Sequence, residues 1–230
     1  MITAYSRLQL SLLKFFLMKK FLLILFLLLV AAFAVWQFVL KKDKKSSDSL
    51  PEAMTVSKHS EAFNQSMTKM MDAYYTLTEA FVNWDTAAIH TSAVVLKTKL
   101  DSLKLQEMQK DSAIYPTVEN QWGILKTEID GLIQDEGIGA KRESLNMLSQ
   151  QVFDLLRIVK YDAGKVYYQE CPMALNNYET PAYWLSMDGS DDKRRNPYLG
   201  LHDPKYGKAM LVCGSTRDSI HSRPPQPAGQ

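Results

Sequence analysis

The 230-residue chain holds only two cysteines and four histidines. It also lacks a glycine-rich phosphate loop, a His-Glu-x-x-His, a Gly-x-Ser-x-Gly and a Cys-x-x-Cys. Nucleotide hydrolysis, zinc proteolysis, serine hydrolysis and thioredoxin-type redox chemistry are thereby left without their usual sequence support, and no catalytic function is expected. A surplus of basic residues is missing too: 27 Lys and Arg stand against 25 Asp and Glu, a net charge of +2. A nucleic-acid binder needs a clustered basic surface to release phosphate counterions, so no nucleic-acid partner is expected. No cysteine stands where a lipoprotein signal requires one, which argues against a lipid anchor.

What is present begins with one long apolar run. Phe21 to Leu40 reads FLLILFLLLVAAFAVWQFVL without a charge, about the 20 residues that a helix needs to cross a bilayer core. Lys19-Lys20 precede it and KKDKK, residues 41–45, follows. The same stretch fits a secretory signal, with Lys19-Lys20 as its positive end and Ala32-Phe33-Ala34 as a small-residue cleavage pattern. Signal peptide and transmembrane anchor both stay open for residues 1–40. In either case the rest of the chain is expected outside the cytoplasm, in the periplasm of a Gram-negative cell, secreted or held at the inner membrane.

Residues 41–54 are charged and rich in Ser and Pro, the composition of a linker. Residues 55–163 read as a helical domain. Met67, Met70, Met71, Tyr74, Leu77, Ala80 and Phe81 recur at three and four, one face of a helix from about Thr55 to Asn83. Methionines at that spacing are core material, because the flexible thioether fills gaps well. Asn83 or Asp85 caps a second helix carrying Ala87, Ala88, Ala93, Val94, Leu96, Leu100 and Leu103. Pro116 opens a third, with Trp122, Leu125, Ile129 and Leu132 on one face and Gly137 and Gly139 as its stop. The fourth runs from Lys141 to Tyr161 along Leu145, Leu148, Val152, Leu155, Leu156 and Val159. Four such helices with short connections predict a mainly α fold, an up-down four-helix bundle.

After Gly164 the helical period stops. Residues 164–214 hold Val166-Tyr167-Tyr168 and a density of Pro, Gly, Asn and Tyr, predicting short strands and turns in a small irregular Cys/Met-bearing motif. Residues 215–230, ending SRPPQPAGQ, read as a disordered tail. The paired acids Asp135-Glu136 and Asp191-Asp192 and the run Lys193-Arg194-Arg195 read as solvated surface.

The order VYYQECPMALNN, PAYWLSMD, RRNPYLG and YGKAMLVCG resembles the bacterial domain-of-unknown-function family 3347. The likeness runs from about Phe63 to Gly214, with its specific motifs in the C-terminal third. That family occurs as exported proteins and as a domain attached to periplasmic adaptor subunits of copper and silver efflux pumps. The resemblance implies a helical bundle followed by a compact Cys/Met motif, and a link to copper or silver handling. An efflux adaptor or another copper-handling envelope protein is the implied partner. The stretch LGLHDPKYGKA, residues 199–209, departs from the shorter phenylalanine-glycine link usual there, and it brings in His202 and Asp203.

Four sulfurs compose the candidate site: Cys171 and Met173, two apart on an expected strand, and Met210 and Cys213, three apart as on one turn. Should the two pieces meet, thiolates and thioethers would select copper(I) or silver over hard cations. Zinc suits this set poorly, since its structural sites favour cysteine and histidine. His202 is a further accessory ligand, and Trp184 and Tyr198 compose an aromatic shell. The other histidines add little, His59 and His221 reading as solvated and His90 as a residue of the second helix. Against the metal stands a disulfide, because two cysteines in an exported chain commonly pair. Free buried thiols are the third alternative, and a site that is a disulfide when empty and a thiolate pair when loaded is compatible with the first two.

Overall fold

The computed structural model describes residues 58–221. The expected signal or anchor, the linker up to residue 54 and the last nine residues lie outside the described residues. Among the described residues no helix is long and apolar enough to cross a membrane. The chain is mainly helical, with a small antiparallel three-stranded sheet near its C-terminal end.

Helix α1, Glu61–Val82, starts where the Ser60 hydroxyl accepts from the Phe63 amide at 3.2 Å. Glu107 secures this start from below, its two carboxylate oxygens accepting from the Ser60 amide at 3.1 and 3.0 Å. The stripe buries Phe63, Met67, Met70, Met71, Tyr74, Leu77 and Phe81, so the methionines are core. Helix α2, Thr86–Asp101, is capped by Asp85, whose carboxylate accepts from the Ala87 and Ala88 amides. Its inward residues are Ile89, Ala93, Leu96 and Leu100. Val94 is instead 44% exposed and Ala87 faces solvent, because the helical period set by Ile89 turns both away from the core.

Helix α3, Tyr115–Gln134, carries Pro116 in its first turn, where a missing amide hydrogen costs nothing. It ends at Gln134, ahead of the glycines expected to stop it. Gly137 and Gly139 belong to the first turn of helix α4, Gly137–Ile158, and Gly137 takes a φ of 76° at the start. Lys141, at the start of the next turn, buries its stem and donates from Nζ to the Leu132 carbonyl at 2.8 Å, closing the otherwise unpaired end of α3. The α4 stripe of Leu145, Leu148, Val152, Leu155 and Leu156 is fully buried. Truncating one such leucine to alanine costs about 2–5 kcal/mol.

Successive helices are antiparallel neighbours. Trp122 Nε1 donates to the Leu100 carbonyl at 2.8 Å while Lys97 reaches Asp130 at 2.6 Å, so α2 numbers fall as α3 numbers rise. Gln121 donates to the Gln151 carbonyl and Lys141 to that of Leu132, giving the same sense between α3 and α4. Trp122 thus lies half-buried at the edge of the core, its polar edge satisfied by α2.

The sheet follows in the order β2-β1-β3, with β1 Val166–Leu175, β2 Thr180–Ser186 and β3 Ser215–Ile220. Strand β3 occupies the first six residues of the stretch read as a disordered tail. Its sequence, STRDSI, has no apolar alternation, and it is held through backbone pairing to β1 and an ion pair between Arg217 and Glu170. The β1–β2 hairpin turns through Asn176, Asn177 and Tyr178, all with positive φ.

One hydrogen-bonded chain fastens the sheet to the bundle. Ser149 donates to the Leu145 carbonyl at 2.7 Å, Tyr74 donates its phenol hydrogen to Ser149 at 2.7 Å, and the Tyr74 oxygen accepts from the Leu185 amide of β2 at 3.1 Å. Burial pushes the Tyr74 phenol well above its ordinary range, so it remains a donor throughout the physiological pH range. Beside it, Phe153 stacks on Tyr168 at 4.4 Å and Tyr168 on Tyr183 at 5.1 Å.

Candidate functional site

The two sulfur-bearing pieces meet. Cys171 on β1 and Cys213, just after the 3₁₀ turn Gly207–Val212, form a disulfide with their Cα atoms 5.7 Å apart, well inside the usual range for such a bond. Met210 lies in the same turn as Cys213, whose amide donates to the Met210 carbonyl at 3.1 Å. Cys171 is fully buried, Met210 nearly so, and Cys213 half-buried, so the pair is approached from the Cys213 side.

Met173 lies on the same strand two residues beyond Cys171, half-buried against the core. The ladder with β2 lapses between Cys171 and Leu175, where Pro172 has no amide hydrogen to donate. The strict alternation that would set Cys171 and Met173 on one face is therefore interrupted between them. His202 is exposed, and its ring faces Trp84 with centroids 6.3 Å apart. Among the described residues no three histidine, cysteine or carboxylate side chains gather as a metal-binding group.

The two aromatic residues do come together. Trp184 and Tyr198 pack edge to face, centroids 6.1 Å apart, and Tyr198 donates its hydroxyl hydrogen to the Tyr183 carbonyl. Burial raises the Tyr198 phenol far above its ordinary value. The Trp184 ring also lies against Gly214: a Cβ there would come within 3.0 Å of the ring and collide with the Glu170 carbonyl. Gly214 has a φ of 130°, so glycine next to Cys213 is required both by backbone shape and by this close passage. Trp184 is thereby fixed beside the half of the motif that carries Cys213.

A polar frame that periodicity does not reveal holds the Cys213 turn. Arg194 was expected on solvated surface, but it is only 2% exposed. Its Nε donates to Gln169 Oε1 at 3.0 Å, its Nη1 to the Val212 carbonyl at 3.3 Å and its Nη2 to Asp191 at 2.6 Å. Lys193 and Arg195 do lie at the surface, each in an ion pair, with Asp188 and Glu79 respectively. Asn196 is fully buried: its amide donates to the Leu211 carbonyl at 2.8 Å, its Nδ2 to the Cys213 carbonyl at 3.2 Å, and its Oδ1 accepts from the Tyr198 and Leu199 amides. The Arg-Asn-Pro-Tyr stretch thus clamps residues 211–213 onto β1. Asn followed by Pro was the available signal, since a buried asparagine with several backbone partners commonly builds such a turn.

Chemically, the oxidised pair is a cross-link, and the reduced pair is two thiols at a spacing fixed by the β1 backbone and the Asn196 clamp. Thiolates and thioethers are soft donors of the kind that copper(I) and silver take.

Residues 70–164 match the family model described as "Protein of unknown function (DUF3347)". The match covers the greater part of α1, all of α2 to α4, and ends ahead of β1. The Cys/Met segment, where the resemblance was most specific by sequence, lies outside it. No curated protein and no solved structure matches the chain. Over its helical residues 70–164 the chain is thus similar to the DUF3347 family.

Proposed function

We propose that this protein is a non-catalytic, envelope-located carrier or delivery component for copper(I) or silver, an up-down four-helix bundle with a redox-gated thiolate site. The observation that carries the reading is the meeting of Cys171 with Cys213; Met210 stands in the turn that leads to Cys213. The disulfide is the closed state. Two electrons and two protons from an envelope dithiol convert it to two thiols, leaving the donor as a disulfide. Binding of the monovalent ion then displaces the thiol protons, so loading is favoured as pH rises. Met210 supplies a thioether, and Met173, two residues beyond Cys171 across the interruption in the β1–β2 ladder, is the fourth donor of this reading. Soft sulfur donors exclude magnesium and calcium. Residues 1–40 place the domain at the periplasmic side of the inner membrane or release it there. An efflux adaptor or a copper-handling envelope protein receives the ion.

A second reading is favoured by the bonded state of the pair. There the disulfide is a permanent staple, and the bundle with its small sheet is an interaction module of the envelope with no metal. Competition of the reduced full chain against a copper(I) chelator separates the two. The carrier reading expects about one equivalent withdrawn from the chelator, and loss of that equivalent in Cys171→Ser/Cys213→Ser with helical content retained. No withdrawal by fully reduced protein leaves the staple alone.

A further inference from the structure

Away from the sulfur pair, a second polar constellation lies where the α1–α2 turn meets the start of α4. The Arg142 guanidinium stacks on the Trp84 ring, 3.8 Å from its centroid. Three donors of this stack, Arg142 Nε, Arg142 Nη2 and Trp84 Nε1, are buried without a hydrogen-bond partner. Nε and Nη2 form one edge of the guanidinium, the edge whose two parallel N–H bonds match the two oxygens of a carboxylate. Leaving both unpaired is costly for a charged group, and the third orphan beside them makes a chance defect a poor explanation.

The enlarged 199–209 stretch packs on this stack. Leu201 donates its amide to the Val82 carbonyl at 3.1 Å, and a Cβ at Gly200 would come within 3.2 Å of Trp84 Nε1. His202 tilts against Trp84. Asp203 is the acid whose charge Arg142 feels, yet its oxygens are already engaged. Oδ1 accepts from the Lys205 and Tyr206 amides at 3.1 and 2.6 Å, and Oδ2 from the Tyr178 hydroxyl at 2.9 Å. Burial lowers the Arg142 guanidinium to about 10, opposed by Asp203, so it stays charged at neutral pH. Gly200 and Gly207, at φ 54° and 56°, bracket this segment.

We propose that the free edge of Arg142, with the indole N–H of Trp84, is a binding site for a planar carboxylate, covered by the 201–206 segment. The site is independent of the sulfur pair and stands whether or not copper binds. The test is a titration of the full chain in neutral detergent, following the Trp84 Nε1–H and Arg142 Nε–H resonances. The probes are sodium acetate, sodium chloride at equal ionic strength, inorganic phosphate, and trialanine with a free or an amidated carboxyl end. Acetate is expected to shift both resonances saturably and chloride to leave them unmoved. Arg142→Lys, which keeps the charge but loses the fork, should weaken acetate by about tenfold or more. Tighter binding of free than of amidated trialanine identifies a chain end as the source, and equal indifference to both identifies a small acid. Absence of a saturable shift in the wild-type chain, an identical response to chloride, or binding of phosphate alone overturns the proposal, and none of these depends on a variant folding.

Discussion

Opening the Cys171–Cys213 bond tests how much of the C-terminal segment depends on it. The cysteines are 42 residues apart in sequence. For a loop of that size the chain-entropy relation gives about 13 cal/mol/K removed from the unfolded chain, or about 4 kcal/mol at 25 °C. The segment between them holds β2, the Asn196 clamp and two short 3₁₀ turns, and its sheet shares a core with α1 and α4 through Tyr74 and Ser149. The loss should therefore register in the global unfolding transition. At roughly 2–4 °C per kcal/mol for a chain of this size, reduction should lower Tm by about 8–16 °C. The assay is urea and thermal unfolding followed by circular dichroism, on oxidised protein, on protein with thiols counted as fully reduced, and on Cys171→Ala/Cys213→Ala. Reduced wild type is the cleaner comparison, because alanine at the fully buried position 171 also leaves a small void. Adding copper(I) to the reduced protein should restore stability in proportion to ligand excess, and should not do so in the alanine pair. Reduced and oxidised protein agreeing within about 1 kcal/mol would refute the loop-entropy argument.

Three further outcomes follow from single contacts. Gly214→Ala should lower the unfolding midpoint and perturb near-ultraviolet Trp signals, since its Cβ meets the Glu170 carbonyl and the Trp184 ring; an unchanged midpoint would contradict the close passage. Tyr74→Phe removes the donor to Ser149 and strands the Leu185 amide, costing about 1–3 kcal/mol in urea unfolding, with the loss shared between bundle and sheet probes. Glu107 is held below its ordinary value of 4.5: burial acts to raise it, but the donors of Ser60 and His59 prevail. Its contribution is therefore complete above pH 4.5 and lost as pH falls through the lower folded value. Glu107→Gln should be less stable than wild type at pH 7, with the gap narrowing in acid; a constant gap from pH 7 to 3 would contradict this.

Much of the helical part was legible because its signals are local. The methionine stripe of α1, the Asp85 cap and the α4 leucines each follow from spacing within one element. Elsewhere the local signals are ambiguous. Gly137 and Gly139 mark a boundary equally well as the end of one helix or the start of the next. Val94 lies beside Ala93 in an alanine-rich stretch whose apolar period is weak, and only Ile89 settles which face turns inward. Strand β3 has no apolar alternation to read, because its partner supplies backbone pairing rather than a core face.

The candidate site was legible as four sulfurs and not as a geometry. Two cysteines left bond, metal and free thiol open, and the strand lapse after Pro172 depends on how β1 pairs. Arg194 looked solvated because its partners, Gln169 and the Val212 carbonyl, are distant in sequence. The same holds for Arg142 and Trp84, which nothing in their local sequence joins.

The most direct test of the carrier account is X-ray absorption at the copper edge on the reduced full chain loaded with one equivalent of copper(I). The account predicts a first shell of about two or three sulfur scatterers, lost in Cys171→Ser/Cys213→Ser. A shell of nitrogen and oxygen only, or copper that washes away from fully reduced protein, would contradict it.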